Sequence, residues 1–167
     1  YNGDYFRLVE QQSEGSARAL VPVLMRLLRP SSVVDVGCGT GTWLARFQEH
    51  GVEDFLGMDG EWVDSTALQI PEERFEIVDL EAPPRLQRRF DLVVSLEVGE
   101  HLPPQWADSL VELLTGLGPV VAFSAAIPGQ GGSGHLNEQW PGYWSERFGR
   151  WGYSAFDVIR PQVWMDD

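Results

Sequence analysis

The sequence predicts an α/β protein: a doubly wound, mostly parallel sheet with helices on both faces, in a single domain over residues 1–167. Three observations carry that expectation. Short β-branched runs alternate with segments of helical periodicity, the first run passes directly into a turn with glycines two apart, and acidic letters collect where the runs end.

The elements follow in chain order. Segment 1–15 lacks a clear apolar period and is expected to be loosely ordered. From 16 to 28 the residues Ala17, Leu20, Val21, Leu24, Leu27 and Leu28 recur at helical spacing, and Pro30 stops that helix. Ser32-Val33-Val34-Asp35-Val36 reads as a strand buried on both faces. Gly37, Gly39 and Gly41 make the turn, a helix covers 43–48, and His50 before Gly51 reads as its cap. Runs 54–59, 74–80 and 90–97 are expected as strands two to four. The stretch 103–117 is a helix entered through prolines, and 119–127 is a fifth strand. "GQGGSG" (129–134) opens no helix, so 127–137 is expected as a mobile loop over the sheet edge. An aromatic helix within 137–153 leads to "SAFDVIR" (154–160), a sixth strand. Four of the seven tryptophans fall from Trp140 onward, which reads first as aromatic core packing.

Composition excludes several classes. With 43% hydrophobic letters but no apolar run near ~20 residues, the chain reads as soluble, with no membrane partner. No secretion signal opens it, so a cytoplasmic location is the expectation. The formal net charge of -13 opposes nucleic acid and anionic membranes. Arg85, Arg88 and Arg89 form the one basic cluster and read as a solvated turn. All twelve basic residues are arginine, which removes lysine chemistry. The single cysteine, Cys38, lies inside the glycine turn and reads as a small residue that fits there.

A strand, a glycine turn and a helix place free N–H groups and a helix N-terminus at the carboxyl edge of the sheet, which suits an anionic or polar ligand. A nucleoside-triphosphate loop needs Lys-Ser/Thr after its last glycine, whereas Thr42-Trp43 follow Gly41. A dinucleotide fingerprint needs glycine or alanine in its sixth place, where this loop has Thr42; the NAD reading is weakened. The second strand ends at Asp59, placed to accept from two ribose hydroxyls. The third ends at Asp79-Leu80, an acceptor for an exocyclic amine beside an apolar surface. Together these describe an adenosine pocket.

"VVDVGCGTG", "GMDG", "VDLE" and "FDLVVSLEVGEHLP", in this order and spacing, resemble the successive motifs of class I S-adenosylmethionine-dependent methyltransferases, over most of the chain from about Val33 to Leu102. The resemblance implies a Rossmann-like fold and S-adenosyl-L-methionine as cofactor, with S-adenosyl-L-homocysteine as product. It implies that Asp35 and the turn of Gly37, Cys38, Gly39 and Gly41 wrap the methionine part, and that Asp59 with Gly60 holds the ribose. Asp79 and Leu80 then address the adenine, while Leu96 and Glu97 line the cofactor beside the substrate. Asp35 as a turn cap and Asp79 as a turn former remain the structural alternatives. The family usually closes its sheet with a strand 6 to strand 7 hairpin. Strand 7 is expected to be missing here, leaving an edge that could pair with a second copy or a partner chain.

The later stretch "GHLNEQWPGYW" (134–144) resembles a subgroup of small bacterial methyltransferases, which implies a small-molecule acceptor of the secondary-metabolite or sugar type, methylated on O or N. Candidate acid–base residues are Glu100, His101 and His135, with Glu97 beside them. Two other readings stand: a cofactor-binding module without catalysis, and a metal-dependent RNA 2′-O-methyltransferase. The latter rests on Glu97, Glu100, His101 and His135, whose Glu-x-x-Glu-His plus downstream His pattern is similar to that of small-RNA 3′-end methyltransferases. A divalent metal is the less favoured reading, because "EH" after the fourth strand also suits metal-free relatives.

Overall fold

The computed structural model describes residues 3–83 and 86–163. Five strands, β1 (Ser32–Val36), β2 (Asp54–Asp59), β3 (Phe75–Ile77), β4 (Leu92–Leu96) and β5 (Val121–Ser124), form one sheet in the order β3-β2-β1-β4-β5. Every pairing is parallel, with Val33 opposite Phe55 on one side and Leu92 on the other. Consecutive strands step outward from β1 to β3, then β4 returns to the other side of β1. The order therefore reverses between β1 and β4, the place where ligands of such sheets bind.

The β-branched alternation of β1 assigns its side chains to two cores. Val33 joins Leu92, Val94 and Phe55 under α1 (Gly3–Leu28) and α2 (Thr42–Glu49), where Ala17, Val21, Leu24, Leu44 and Phe47 are buried. Val34 and Val36 join Met58 and Val93 under α3 (Ala107–Leu117) and α4 (Pro141–Arg150), which contribute Leu110, Val111, Leu114 and Trp144. Each such fully buried side chain stabilises the fold by about 1.5–3 kcal/mol, so the central strands are held from both faces.

Several boundaries differ from those expected. The first helix begins at Gly3, well before the start at 16 that the apolar period suggests. Its Arg, Leu, Glu and Gln residues favour helix and no proline interrupts them, and Pro22 is accommodated further along. Strand β3 is shorter than 74–80: Val78 N–H still donates to the Asp59 carbonyl at 2.8 Å, but Asp79 Oδ1 then accepts from Glu81 N–H at 2.9 Å, and that Asx turn ends the ladder. The expected sixth strand is absent. Residues 153–158 pair with no strand, Phe156 is 78% exposed, and Arg160–Val163 is a short helix, α5. The reason is anchoring at both ends. Tyr153 Oη donates to the Thr115 carbonyl at 3.1 Å on the α3 side, whereas Gln162 accepts from Arg26 of α1 at 3.0 Å, so the segment crosses between the two layers. Pro161 also cannot donate to a ladder. Neither a sixth nor a seventh strand occurs among the described residues.

The aromatic reading of the last helix holds for Trp144, which is buried against Phe123 at 5.0 Å between ring centroids; Trp140 and Trp151 are exposed, and Trp164 lies outside the described residues. Arg85 also lies outside them. Arg88 pairs with Asp54 and lies 4.4 Å over the Phe90 ring, a structural use of that cluster. His50 caps α2, with Nδ1 2.9 Å from the Arg46 carbonyl oxygen. Among the described residues no helix is long and apolar enough to cross a membrane.

Candidate active site

The turn after β1 needs its glycines for different reasons. Gly37 has φ +83°, and a Cβ there would lie 2.3 Å from a methyl of Val98; Gly41 has φ +85° and Ile70 at 2.8 Å. Gly39, at φ +54°, faces open space. The turn thus packs tightly at both ends and opens at its centre, a cradle for a ligand. Cys38 fills the back of the turn, with Sγ 2.8 Å from where a Gly57 Cβ would stand, and burial pushes its thiol well above the ordinary range. It is a packing residue, not a nucleophile.

Two buried acids stand behind the cradle. Asp59 Oδ2 accepts from Gly39 N–H at 2.6 Å and Oδ1 from Gly60 N–H at 2.7 Å. The Trp62 indole also hydrogen-bonds this carboxylate and covers Gly60, where a Cβ would meet its ring at 2.2 Å. Burial raises Asp59, and the three donors oppose that shift. Asp35 is 2% exposed and its Oδ2 has no hydrogen-bond partner; burial first, then the charge of Asp59, push it up to about 8. An orphaned buried acceptor and a carboxylate with three donors beside an open glycine cradle fit a ligand carrying a cationic group and hydroxyls. Asp79 is exposed in its Asx turn, and Leu80 is buried in the core with Met58 and Val78, so this pair is less closely joined to the cradle.

Beyond β4 the chain makes a tight turn. Glu97 takes φ +56°, a conformation uncommon for a residue with a side chain. Ser124 Oγ donates to Glu97 Oε1 at 2.6 Å and Gln130 Nε2 to Oε2 at 3.2 Å, which hold it there. The short 3-10 turn Gly99–His101 then buries Glu100 completely, with neither carboxylate oxygen in a regular hydrogen bond. Burial raises Glu100, against the pull of its own and the Ala126 backbone amides. The glycine-rich segment folds back onto this turn: Leu136 and Asn137 N–H donate to the Glu100 carbonyl at 2.7 and 3.0 Å.

That fold-back brings His135 to His101, ring edge to ring face at 5.0 Å. Burial holds His101 below the ordinary imidazole value, helped by His135 and opposed by the Gly134 carbonyl, Glu97 and Asp59. Glu100, His101 and His135 each offer one ligand atom within 4.8 Å of the others. Glu97, expected with them, is outside that cluster, and its oxygens accept from Ser124 and Gln130 instead. All four nevertheless line one cleft of about 330 Å³ with Leu96, Ser13, Ser16, Trp43, Gln130 and Gly131. Ser13, Ser16, Trp43, Gln130 and Trp62 were not expected at the site. Only Trp62, an aromatic three residues after an acid at a strand end, left a signal that could have been read.

An open parallel sheet in this order, with a glycine cradle after β1 and an acid closing β2, is the class I methyltransferase fold. The chain belongs to the methyltransferase-domain family, which it matches over residues 8–161. It is 31% identical over 100 residues to malonyl-[acyl-carrier protein] O-methyltransferase of Pseudescherichia vulneris, covering 59% of this chain and 38% of that protein. Human N-acetylserotonin methyltransferase, solved with S-adenosylmethionine, superimposes with a TM-score of 0.67 at 16% identity, over 92% of this chain and 50% of that one. Magnesium protoporphyrin IX methyltransferase of Synechocystis PCC 6803, solved with S-adenosylhomocysteine, gives 0.61 at 20% identity, over 87% and 73%. The chain therefore spans about half or less of the length of the first two.

Proposed function

We propose that this chain transfers the methyl group of S-adenosyl-L-methionine to an O or N nucleophile of a small molecule. One observation carries the reading: the open glycine cradle and its two acids adjoin a cleft lined by two imidazoles and two carboxylates at the same sheet edge. Asp35 and the turn 37–41 would hold the methionine part, Asp59 the ribose hydroxyls, and Asp79 with Leu80 the adenine. The bound cofactor supplies an electrophilic methyl on a positive sulfur.

The protein's own contribution is alignment and proton handling. Asp35, residues 37–41 and Asp59 would hold the cofactor so that this methyl faces an acceptor oxygen or nitrogen seated in the cleft. The acceptor's proton passes to an imidazole. His101, which partial desolvation holds below the ordinary imidazole value, offers a ring nitrogen for this, and His135 beside it shares the cleft. The net charge of -13 favours a neutral or cationic acceptor over nucleic acid. The open edges of β3 and β5 would admit a second copy or a partner chain.

Calorimetry tests the cofactor: adenosylhomocysteine binds and NAD does not. Release of adenosylhomocysteine with a panel of small hydroxyl and amine acceptors then separates an enzyme from a non-catalytic binding module. Binding without turnover on any acceptor favours the module.

A second reading has one specific observation behind it. Glu100 buries two carboxylate oxygens that lack a regular hydrogen bond next to two imidazoles, a mixed O/N set suited to a divalent cation. A cation there would take up acceptor oxygens and lower a hydroxyl's pKa. The test is to strip the protein with chelator and add back Mg²⁺, Mn²⁺ and Zn²⁺ singly. Full activity after chelation, with His101→Ala still impaired, rejects the metal. Activity restored by one ion, and lost in both His101→Ala and His135→Ala, supports it.

A further inference from the structure

Glu138 has no part in the chemistry above, yet it is bound tightly to the glycine-rich segment 129–134 beside the cleft. Gly129 N–H donates to Glu138 Oε2 at 2.9 Å and Gly131 N–H to Oε1 at 2.9 Å. Gly129 and Gly131 have φ of +86° and +71°, which is how their amides converge on a single carboxylate. The same Oε1 lies 2.9 Å from His135 Nδ1. Glu138 is therefore fixed by two backbone donors before it meets the imidazole.

We propose that Glu138 is a positioning residue that sets the tautomer and orientation of His135, with the glycine segment serving as its clamp; the assignment rests on the methyltransferase reading of the cleft. A carboxylate already accepting two amides has no proton to give, so His135 Nδ1 must carry the hydrogen. In the neutral ring the lone pair is then on Nε2. Nδ1 is committed to Glu138, so Nε2 is the nitrogen left for the Glu100 and His101 cluster. The ring cannot tilt freely, because a Cβ on Gly132 would stand 2.2 Å from Nε2: the imidazole packs directly on that glycine. Free imidazole side chains favour the opposite tautomer, with the proton on Nε2, and that form would present a donor where either the proton-accepting or the metal-binding role needs an acceptor. Orienting partners of this kind are worth about 10- to 100-fold in activity or metal affinity.

The test is a long-range ¹H–¹⁵N spectrum of the chelator-stripped full chain, which carries three histidines, with His135 assigned by its loss in His135→Gln. The wild-type protein is expected to show His135 with Nδ1 protonated and Nε2 pyridine-like. In Glu138→Ala the proton moves to Nε2, kcat falls about 10- to 100-fold, and the dissociation constant for adenosylhomocysteine stays within about twofold. Glu138→Gln keeps an acceptor oxygen for Nδ1 and for Gly131 N–H but places its amide NH2 against Gly129 N–H alone. It is expected to retain the Nδ1–H form and most of kcat. A wild-type His135 protonated on Nε2 overturns the proposal with no variant needed. So does a Glu138→Gln enzyme that keeps the Nδ1–H tautomer yet is as slow as Glu138→Ala, because Glu138 would then act only as a loop anchor. The tautomer is read without cofactor or acceptor. Its failure is thereby separate from failure of the methyltransferase reading, which calorimetry with adenosylhomocysteine decides.

Discussion

The backbone N–H of Gly39 donates to Oδ2 of Asp59 at 2.6 Å, tying the turn after β1 to the end of β2. The carboxylate that would hold ribose hydroxyls is thus the one that holds the cradle in shape. Asp59→Ala is expected to weaken adenosylhomocysteine binding by roughly 2–4 kcal/mol, about 30- to 1,000-fold in dissociation constant by calorimetry. An unchanged constant would place the ribose elsewhere.

Two glycines of one turn should fail differently. Gly37→Ala combines φ +83° with a Cβ 2.3 Å from Val98, so its thermal unfolding midpoint should drop by at least the equivalent of about 2 kcal/mol. Gly39→Ala has φ +54° and open space, so stability should fall by only about 1 kcal/mol. Cofactor binding should suffer instead, since the new methyl enters the cradle. Equal loss of stability in both would show that Gly39 is also packed.

Asp35 is expected to make cofactor binding a proton-release event. Pushed up to about 8, it is mostly protonated at pH 7, and a cationic group bound beside it favours the carboxylate. Binding of S-adenosylmethionine at pH 7 should release a proton, seen as a binding enthalpy that varies with the ionisation enthalpy of the buffer. In Asp35→Asn that dependence should vanish.

The same residue sets a pH dependence of folding. Its carboxyl is raised in the folded state, so below pH 4 it is protonated folded and unfolded alike and contributes no slope. Between pH 4 and about 8 the unfolded chain ionises first and the native state loses stability. Denaturant titrations of the ligand-free protein should show Asp35→Asn gaining on wild type steadily across that window. A constant difference would mean that Asp35 titrates alike in both states.

Trp62 competes for Asp59. Its indole bonds the carboxylate proposed to hold the ribose, while its ring is 71% exposed. Trp62→Phe keeps a ring but removes the N–H, and adenosylhomocysteine should bind equally well or a few-fold tighter. A tenfold loss would instead make the indole N–H part of the binding surface.

Local chemistry accounts for what could be read in advance. Strands β1, β2 and β4 are β-branched or apolar runs between turn residues, and their period assigns faces without knowledge of neighbours. The acids at their ends and the glycines at 37, 39 and 41 are likewise local, since a tight turn at positive φ admits little else. "SAFDVIR" has the same local look as those strands and pairs with nothing, because pairing depends on where Tyr153 and Gln162 are anchored.

The sequence by itself thus determined the parallel α/β sheet, the cradle and the two acids behind it. Tertiary structure alone decided that Glu100 loses all contact with water, that Glu97 turns to Ser124 and Gln130, and that His135 returns to His101 under the hold of Glu138. Apart from the His135–Glu138 pair, which is local, the partners at these positions come from residues 27 to 37 places away in the chain, and no local periodicity encodes which distant groups will meet.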